Sequence, residues 1–273
     1  MHRWSSSSVA VRALSFAAVA HAFSPTRTFT MASRYAAHPA TRVEQAKEAG
    51  PKDGPNETIR AHLFCKPATD GVSVGDCPFT HYARMALAIA GMEYIETPLA
   101  PGDKPGWHLE EHGGSMPCWS PRGLYNGEGA ISDSGAIAKM ALPASAADDA
   151  ALGACGGLFL GIAKYLKNSD DARDGELKAG LDAELAKLEA LLFAADGPFL
   201  AGAAPGVADC SVATKLYVLL VGAGHYKNYV LDAKYPNVAL YYATASSHPA
   251  FYATRYPESE MLAGWGEARG GGH

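Results

Sequence analysis

The chain has 273 residues, of which 48% are hydrophobic, so it is long enough to bury a core in one large domain or two smaller ones. Residues 1–40 hold four of the 23 lysines and arginines and none of the 28 acids, which leaves an acidic remainder without a basic stripe. Nucleic acid is therefore excluded as an expected partner. We expect no segment after residue 40 to supply the apolar run of about 20 residues that a membrane span needs, and a soluble mature protein.

Residues 1–55 are predicted to be a targeting presequence and linker outside the fold. A basic, serine-rich start precedes the apolar stretch Val9–Ala20, and small residues follow around a cleavage point. The continuation from Ala22-Phe23-Ser24-Pro25 to Ala40 contains no acid and resembles the bipartite presequences of algae with complex plastids. We therefore expect delivery to the plastid stroma, with the secretory route or the cytosol as alternatives.

Residues 56–142 are predicted to form an α/β, thioredoxin-like domain with the element order β-α-β-α-β-β-α. A turn-rich loop at Gly71–Asp76 precedes a helix that opens at Cys77-Pro78. Proline suits the first helical position because its missing N–H would have no partner there. Asn126-Gly127 indicates a tight turn. Strands are expected at 61–65, 94–97, 116–119 and 130–131, and helices at 78–91, 107–111 and 135–142.

Residues 143–267 are predicted to form an all-α second domain. A leucine recurs at every third or fourth position between 177 and 192, which marks one buried face of a helix. Gly206 caps another helix that is expected to run to about Gly224, and Asp209 is placed to accept hydrogen bonds from N–H groups at that cap. Further helices are expected at 235–247 and 249–255.

Cys77 is the predicted nucleophile. The five cysteines, at 65, 77, 118, 155 and 210, form no CxxC pair, which argues against a disulfide framework and a thiolate zinc cluster. Cys77 lies at a helix start, where unpaired N–H groups and the helix dipole favour the thiolate, and the other four are expected in the core. Thr80 stands where a resolving cysteine would be, so an external thiol must complete turnover, and glutathione is the abundant candidate.

Met116-Pro117 and Asp133-Ser134 are candidate ligand contacts. The first pair starts a predicted strand, where a thioredoxin-like arrangement places a cis-proline, here Pro117, beside a peptide-binding groove. The second pair begins a helix and can serve merely as its cap. Next to such a groove, a helix N-terminus also suits the γ-glutamyl carboxylate of glutathione.

Lys66 and Lys104 follow the first strand and precede the short second helix, which places both near the Cys77 end of this topology. Each is either a solvated surface lysine or a cation that stabilises a thiolate and an anionic ligand. The histidines show no metal-ligand spacing, so we expect no metal site.

The stretch Asp76-Cys77-Pro78-Phe79-Thr80 resembles the active-site segment of plant dehydroascorbate reductases, members of the glutathione-transferase superfamily, and of the related chloride intracellular channel proteins. Residues 103–110 resemble the DKPxWxLE segment of the reductases, and Ser132-Asp133-Ser134 resembles their glutathione-binding pair. In the helical half, the segments 198–202, 208–217, 224–227 and 263–265 are also similar, so the resemblance spans about residues 60–267.

This resemblance implies a glutathione-transferase fold and assigns roles by position. Cys77 is the implied nucleophile, with Lys66 and Asp76 as substrate-binding neighbours. Where the reductases usually have Ser-Gln-Arg after the CPF sequence, this chain has Thr80-His81-Tyr82, and Arg84 is a candidate to replace the lost charge one helical turn away. The implied glutathione contacts are Lys66, Lys104, Met116, Asp133 and Ser134.

The implied activity is glutathione-dependent reduction of dehydroascorbate by a monomer with no permanently bound cofactor and glutathione as co-substrate. The Cys77 thiolate attacks a substrate carbonyl or passes through a sulfenate-like step, a glutathione mixed disulfide forms, and a second glutathione resolves it. The alternatives are an omega-like or glutaredoxin-like thiol transferase that uses the same cysteine, and a non-catalytic glutathione-binding module. Membrane insertion like that of the channel relatives is disfavoured because the first helix contains His81, Tyr82 and Arg84.

Overall fold

The computed structural model describes residues 60–270, so the presequence predicted for residues 1–55 lies outside the described part of the chain. The first half of this range contains a three-stranded sheet with the strand order β2-β1-β3. The central strand β1 (His62–Cys65) pairs in parallel with β2 (Ile95–Pro98) and antiparallel with β3 (Cys118–Ser120). Because β1 is central and buried, its carboxyl end is a fixed point from which the chain enters the loop that leads to Cys77.

The helices fall into those that accompany the sheet and those that follow it. The first group is α1 (Pro78–Ile89), α2 (Gly106–His112) and α3 (Ser134–Ala141). All described elements after residue 142 are helical, so the fold class is as predicted, and the boundary between residues 56–142 and 143–267 stays a prediction. The second group is α4 (Ala146–Ala154), α5 (Leu158–Lys167), α6 (Asp171–Ala194), α7 (Val207–Tyr217), α8 (Gly224–Lys227), α9 (Pro236–Ser247), α10 (Pro249–Thr254) and α11 (Glu258–Ala268).

The prediction of a fourth strand at 130–131 is wrong. Ile131 makes a single antiparallel bridge to Trp119, with N···O distances of 2.8 and 2.9 Å, and no longer ladder forms. Two features limit it: Gly129 just before it has a φ of +75°, and the cap of α3 begins two residues later at Asp133. The sheet therefore ends in one bridge instead of a strand, and this bridge leads the chain directly into α3.

Helix α1 is buried on two sides. Ala83 and Leu87 join the core cluster formed with the sheet, whereas Tyr82, Met85 and Ala86 belong to the large core of the helical half. The helix packs against α3, α7 and α10. Its N-terminus therefore cannot shift without disturbing both cores.

The helical half is built on α6 and α7. Leu181, Leu185 and Leu188 of α6 are fully buried, which confirms the predicted leucine face. The helix expected from Gly206 to about Gly224 is α-helical only to Tyr217 and continues as a π-helix over Val218–Ala223. Its capping prediction is confirmed, because the buried carboxylate of Asp209 accepts from the N–H groups of Gly206 and Leu200, both at 2.9 Å.

Two helical stretches, Ala146–Lys167 and Val207–Lys227, are long and apolar enough by length and composition to span a membrane. The expectation that no segment after residue 40 would meet this criterion is therefore wrong. The second stretch contains α7 and is 78% buried, as the core helix of a folded domain would be. The first stretch contains α4 and α5, is 28% buried, and is interrupted by a turn at 155–157. Both are packed as helices of the second half.

We predict that Asp209→Ala destabilises the protein by about 2–5 kcal/mol, because two partly buried N–H groups lose an acceptor that is itself buried. Urea unfolding followed by circular dichroism measures this change. Asp171→Ala, which removes an exposed carboxylate from the first turn of α6, is the control and should change stability by less than about 0.5 kcal/mol. Equal effects of the two substitutions would contradict the assignment of Asp209 as a structural cap.

Candidate active site

Cys77 is the N-cap residue of α1 and is partly exposed. Pro78 is the first helical residue, and the Cys77 carbonyl accepts from the N–H of His81 at 3.0 Å. No side chain among the described residues caps this helix, so its first N–H groups and the positive end of its dipole lie at Cys77 without a side-chain partner. The helix start predicted at Cys77-Pro78 is confirmed.

The other four cysteines are buried, as predicted. Burial raises the pKa of Cys65, Cys118 and Cys210, and it raises the pKa of Cys155 to about 11. These thiols are therefore protonated and inaccessible at neutral pH. Cys77 is the cysteine that combines access to solvent with a helix N-terminus.

The loop Lys66–Asp76, hereafter the active-site loop, connects β1 to Cys77. Its two ends are joined by an ion pair between Lys66 Nζ and Asp76 Oδ1 at 2.5 Å, and the N–H of Gly75 donates to the Lys66 carbonyl at 2.8 Å. The Lys66 side chain is 51% exposed and that of Asp76 is 11% exposed. A cation that can reach a ligand is thus held against the residue that precedes Cys77.

Helix α11 holds the far side of the active-site loop. The carboxylate of Glu260 accepts from the Thr69 N–H at 2.8 Å and from its hydroxyl at 2.7 Å. One turn further along α11, a β-carbon at Gly264 would overlap the Asp76 carboxylate, so only glycine allows this close approach. The two contacts connect the C-terminal helix to both the tip and the base of the loop.

The peptide bond between Met116 and Pro117 is cis, as predicted. Met116 is partly buried and packs against the small cluster that contains Phe64 and Cys118. Lys104 donates from Nζ to the Gly114 carbonyl at 2.7 Å, so it is held by the turn after α2 and not by the Lys66–Asp76 pair.

Asp133 is the N-cap of α3 and accepts from the Ala136 N–H at 2.7 Å, which confirms the predicted capping role. Ser134 is the first residue of the helix. Both line an open cleft of about 480 Å³ that Phe79 also lines. Because Phe79 is two residues after Cys77, the cleft reaches from the first turn of α1 to the first turn of α3.

Thr80, His81 and Tyr82 stand where the sequence departs from the reductase pattern, and all three are buried. Burial and, to a smaller extent, the neighbouring Arg84 together lower the pKa of His81 to about 3, so this imidazole is neutral at physiological pH. Its ring packs against Phe251 with a centroid distance of 4.8 Å. His81 is therefore a core residue, in agreement with the structural role predicted for the histidines.

Arg84 does not replace the lost charge at the surface of the site, contrary to the candidate role that the sequence suggested. Its Nε donates to Glu96 Oε1 at 2.8 Å, and its Nη1 donates to the Thr254 carbonyl. The side chain is only 10% exposed, so the guanidinium links α1 to β2 and α10 inside the protein. A buried cation must be paired, and here Glu96 supplies the partner.

Sequence reasoning missed two residues of this region, Tyr82 and Glu260. Tyr82 lies three residues after Phe79 on one face of α1 and lines the same cleft, so helical spacing could have found it. Glu260 is separated from Thr69 by 191 positions, and no local pattern in the sequence indicates their contact. Within residues 60–270, no group of three or more histidine, cysteine or acidic side chains could hold a metal ion.

Comparisons with known proteins identify the family. The family model for the glutathione S-transferase C-terminal domain matches residues 170–244. Glutathione S-transferase DHAR2 of Arabidopsis thaliana is 31% identical over 198 residues, which cover 70% of this chain and 90% of that protein. The probable cytosolic glutathione S-transferase DHAR1 of Oryza sativa subsp. japonica is 30% identical over 200 residues, which cover 71% and 90%.

The chain belongs to the dehydroascorbate reductase (DHAR) family of glutathione S-transferases. A solved structure agrees with the fold of this DHAR-family chain: dehydroascorbate reductase from Chlamydomonas reinhardtii aligns with a TM-score of 0.65 and 23% identity over 78% of this chain and 100% of that one. Other relatives of the family are named as chloroplastic.

We predict that iodoacetamide under native conditions modifies this DHAR-family protein at Cys77 and spares the four buried cysteines, because only an accessible thiolate reacts quickly. Peptide mass mapping after brief labelling locates the adduct. Cys77→Ser should abolish the labelling. Rapid modification of any other cysteine in the folded protein would contradict the assignment.

We predict that Glu260→Gln speeds hydrogen exchange of the amides in the active-site loop by about 2- to 10-fold, because a glutamine retains one acceptor oxygen in place of two. Hydrogen-exchange mass spectrometry of a peptide spanning the loop provides the measurement. Glu258→Gln, an exposed change at the start of the same helix, is the control and should leave the loop unchanged. If both variants exchange at the parent rate, the Glu260–Thr69 contact does not hold the loop.

Proposed function

We propose that this protein catalyses the glutathione-dependent reduction of dehydroascorbate to ascorbate, with Cys77 as the nucleophile. The observation that carries the proposal is the position of Cys77, a partly exposed cysteine at the N-cap of α1 beside the Lys66–Asp76 ion pair. The family to which the chain belongs supports the choice of reaction. The remaining cysteines are buried and supply no competing nucleophile.

Lys66 and Asp76 are proposed to bind dehydroascorbate. The exposed half of the Lys66 side chain can donate to substrate oxygens, while Asp76 keeps the lysine beside Cys77 through their ion pair. A cation at this position also stabilises the negative charge that develops on the substrate oxygen when sulfur attacks the adjoining carbon. The pair thus acts on both the approach of the substrate and the first chemical step.

Glutathione is proposed to lie between α1 and α3. Ser134 and the N–H groups at the start of α3 would receive its γ-glutamyl end, since helix N-termini bind carboxylates. Met116 would contact the peptide backbone of glutathione, and Lys104 its glycyl carboxylate. The cleft lined by Phe79, Asp133 and Ser134 supports this arrangement because it leads to the first turn of the helix that Cys77 caps.

The proposed reaction transfers two electrons from two glutathione thiols to one dehydroascorbate. The Cys77 thiolate adds to a carbonyl carbon, and the resulting oxyanion takes a proton from solvent or the incoming thiol. A glutathione thiolate then attacks the Cys77 sulfur, the carbon–sulfur bond breaks, and its electron pair leaves with ascorbate. Cys77 is left as a mixed disulfide with glutathione. A second glutathione thiolate attacks the glutathionyl sulfur, which releases glutathione disulfide and the Cys77 thiolate.

No resident cofactor enters this proposal, because glutathione supplies both electrons as co-substrate. We further propose that the protein is a monomer whose two domains span residues 56–142 and 143–267. We propose delivery to the plastid through the presequence, with the cytosol as the alternative, which is consistent with the relatives named chloroplastic and cytosolic.

We predict that Cys77→Ser reduces glutathione-dependent formation of ascorbate to the uncatalysed rate, because a serine hydroxyl at this position has no base to activate it. The ultraviolet absorbance of ascorbate follows the reaction. Cys155→Ser, a change at a buried cysteine, is the control and should retain turnover. Absence of turnover in the folded parent would remove the dehydroascorbate assignment and favour removal of glutathione from mixed disulfides by the same cysteine.

A further inference from the structure

The cleft between α1 and α3 extends past Asp133 and Ser134 to two residues that have no role so far, Tyr82 of α1 and Lys215 of α7. It has a volume of about 480 Å³ and is open to solvent. Both side chains carry hydrogen-bond donors, and they come from different helices. The two residues therefore give a partly apolar cleft two donors that suit an acceptor.

The Tyr82 hydroxyl is a buried donor whose acceptor must come from outside the described residues. The residue is 5% exposed, and its hydroxyl has no hydrogen-bond partner within residues 60–270. A β-carbon built on Gly135 would lie 4.0 Å from this hydroxyl, which places it beneath the first turn of α3. A buried hydroxyl without a partner costs free energy, and an acceptor in the cleft offsets that cost.

Lys215 of α7 adds a positive charge to the lining of the cleft. Its ammonium donates to the Ser211 hydroxyl at 2.8 Å, and no carboxylate in residues 60–270 forms an ion pair with it. Burial lowers the pKa of Lys215, which is the expected effect of low dielectric on an ammonium that lacks an anion. A bound carboxylate would stabilise the charged form.

Asp133 adds a carboxylate to the lining of the cleft. Asp133 uses Oδ1 to accept from the Ala136 N–H, and its exposed carboxylate faces solvent beside Ser134. A ligand that places an ammonium near Asp133 and a carboxylate near Tyr82, Lys215 and the start of α3 would satisfy both ends. An α-amino acid group has this arrangement of charges on one carbon.

We propose that Tyr82 and Lys215 bind the α-carboxylate of the γ-glutamyl residue of glutathione and so select for a γ-glutamyl thiol. The inference rests on the proposed function, which it refines by naming two specificity-determining residues. It also explains how the site works without the arginine usual in the CPFSQR segment. At that position Tyr82 provides a neutral donor. Arg84 is paired with Glu96, so the positive charge comes from Lys215 of α7 instead.

The test measures binding of S-methylglutathione, which cannot react at sulfur, by isothermal titration calorimetry. We expect Tyr82→Phe and Lys215→Met to weaken binding by about 10-fold or more each, because each removes a donor to a carboxylate. An analogue in which 4-aminobutanoyl replaces γ-glutamyl lacks only the α-carboxylate. It should bind the parent weakly and bind both variants equally weakly, since the partner of both side chains is absent.

Lys139→Met is the matched control. Lys139 lies at the rim of the same cleft, but its ammonium is already paired with Asp149 at 2.7 Å and is exposed. Lys139→Met should change the affinity for S-methylglutathione by less than about 3-fold if Lys215 acts through direct contact with the ligand. A larger change would indicate that any positive charge near the cleft has the same effect. Equal losses at Lys139 and Lys215 would overturn the proposal.

Reduction of dehydroascorbate with dithiothreitol in place of glutathione separates binding from chemistry. Tyr82→Phe and Lys215→Met should lose a larger factor in rate with glutathione than with this dithiol, which has no γ-glutamyl group. If one variant fails to fold, the other still decides the question. Parent and variants that bind S-methylglutathione equally would overturn this inference alone, whereas a parent that binds none would overturn the proposed function as well.

Discussion

The burial of α1 between the sheet and the helical half is the constraint on which the site depends. Ala83 and Leu87 face one core, and Met85 and Ala86 face the other, so the helix is held on both sides through its second half. Cys77 is the N-cap residue of this helix, so its position is fixed by the packing of the helix. The thiol is proposed to react with two different partners in turn, and a rigid base favours this because only the partners then need to move.

Some polar groups around α1 stabilise the fold, and others are exposed at the candidate site. His81 is neutral and packed among aromatic rings, and Arg84 is paired with Glu96, so neither reaches the site. The groups that do reach it come from other elements. Lys66 arrives through the active-site loop, which Glu260 of α11 holds from outside, and the start of α3 supplies Ser134. The site therefore depends on long-range packing more than on any single motif.

Local rules predicted the parts of this structure that local chemistry determines. The proline after Cys77, the cap at Asp133 and the leucine face of α6 each follow from spacing and residue type, and the structure contains all three. The supposed strand at 130–131 failed because a glycine and a helix cap on either side left room for one bridge only. The contacts of Arg84 with Thr254 and of Glu260 with Thr69 could not be predicted, since each joins elements that are distant in the chain.

The central claim is that Cys77 carries glutathione as a mixed disulfide during turnover. The most direct test supplies dehydroascorbate with one equivalent of glutathione per protein, quenches with acid, and locates the adduct by peptide mass mapping. The account predicts one glutathionyl group on the peptide that contains Cys77, released by a second equivalent of glutathione together with glutathione disulfide. Ascorbate formation with no adduct on Cys77, or with the adduct on another cysteine, would contradict it.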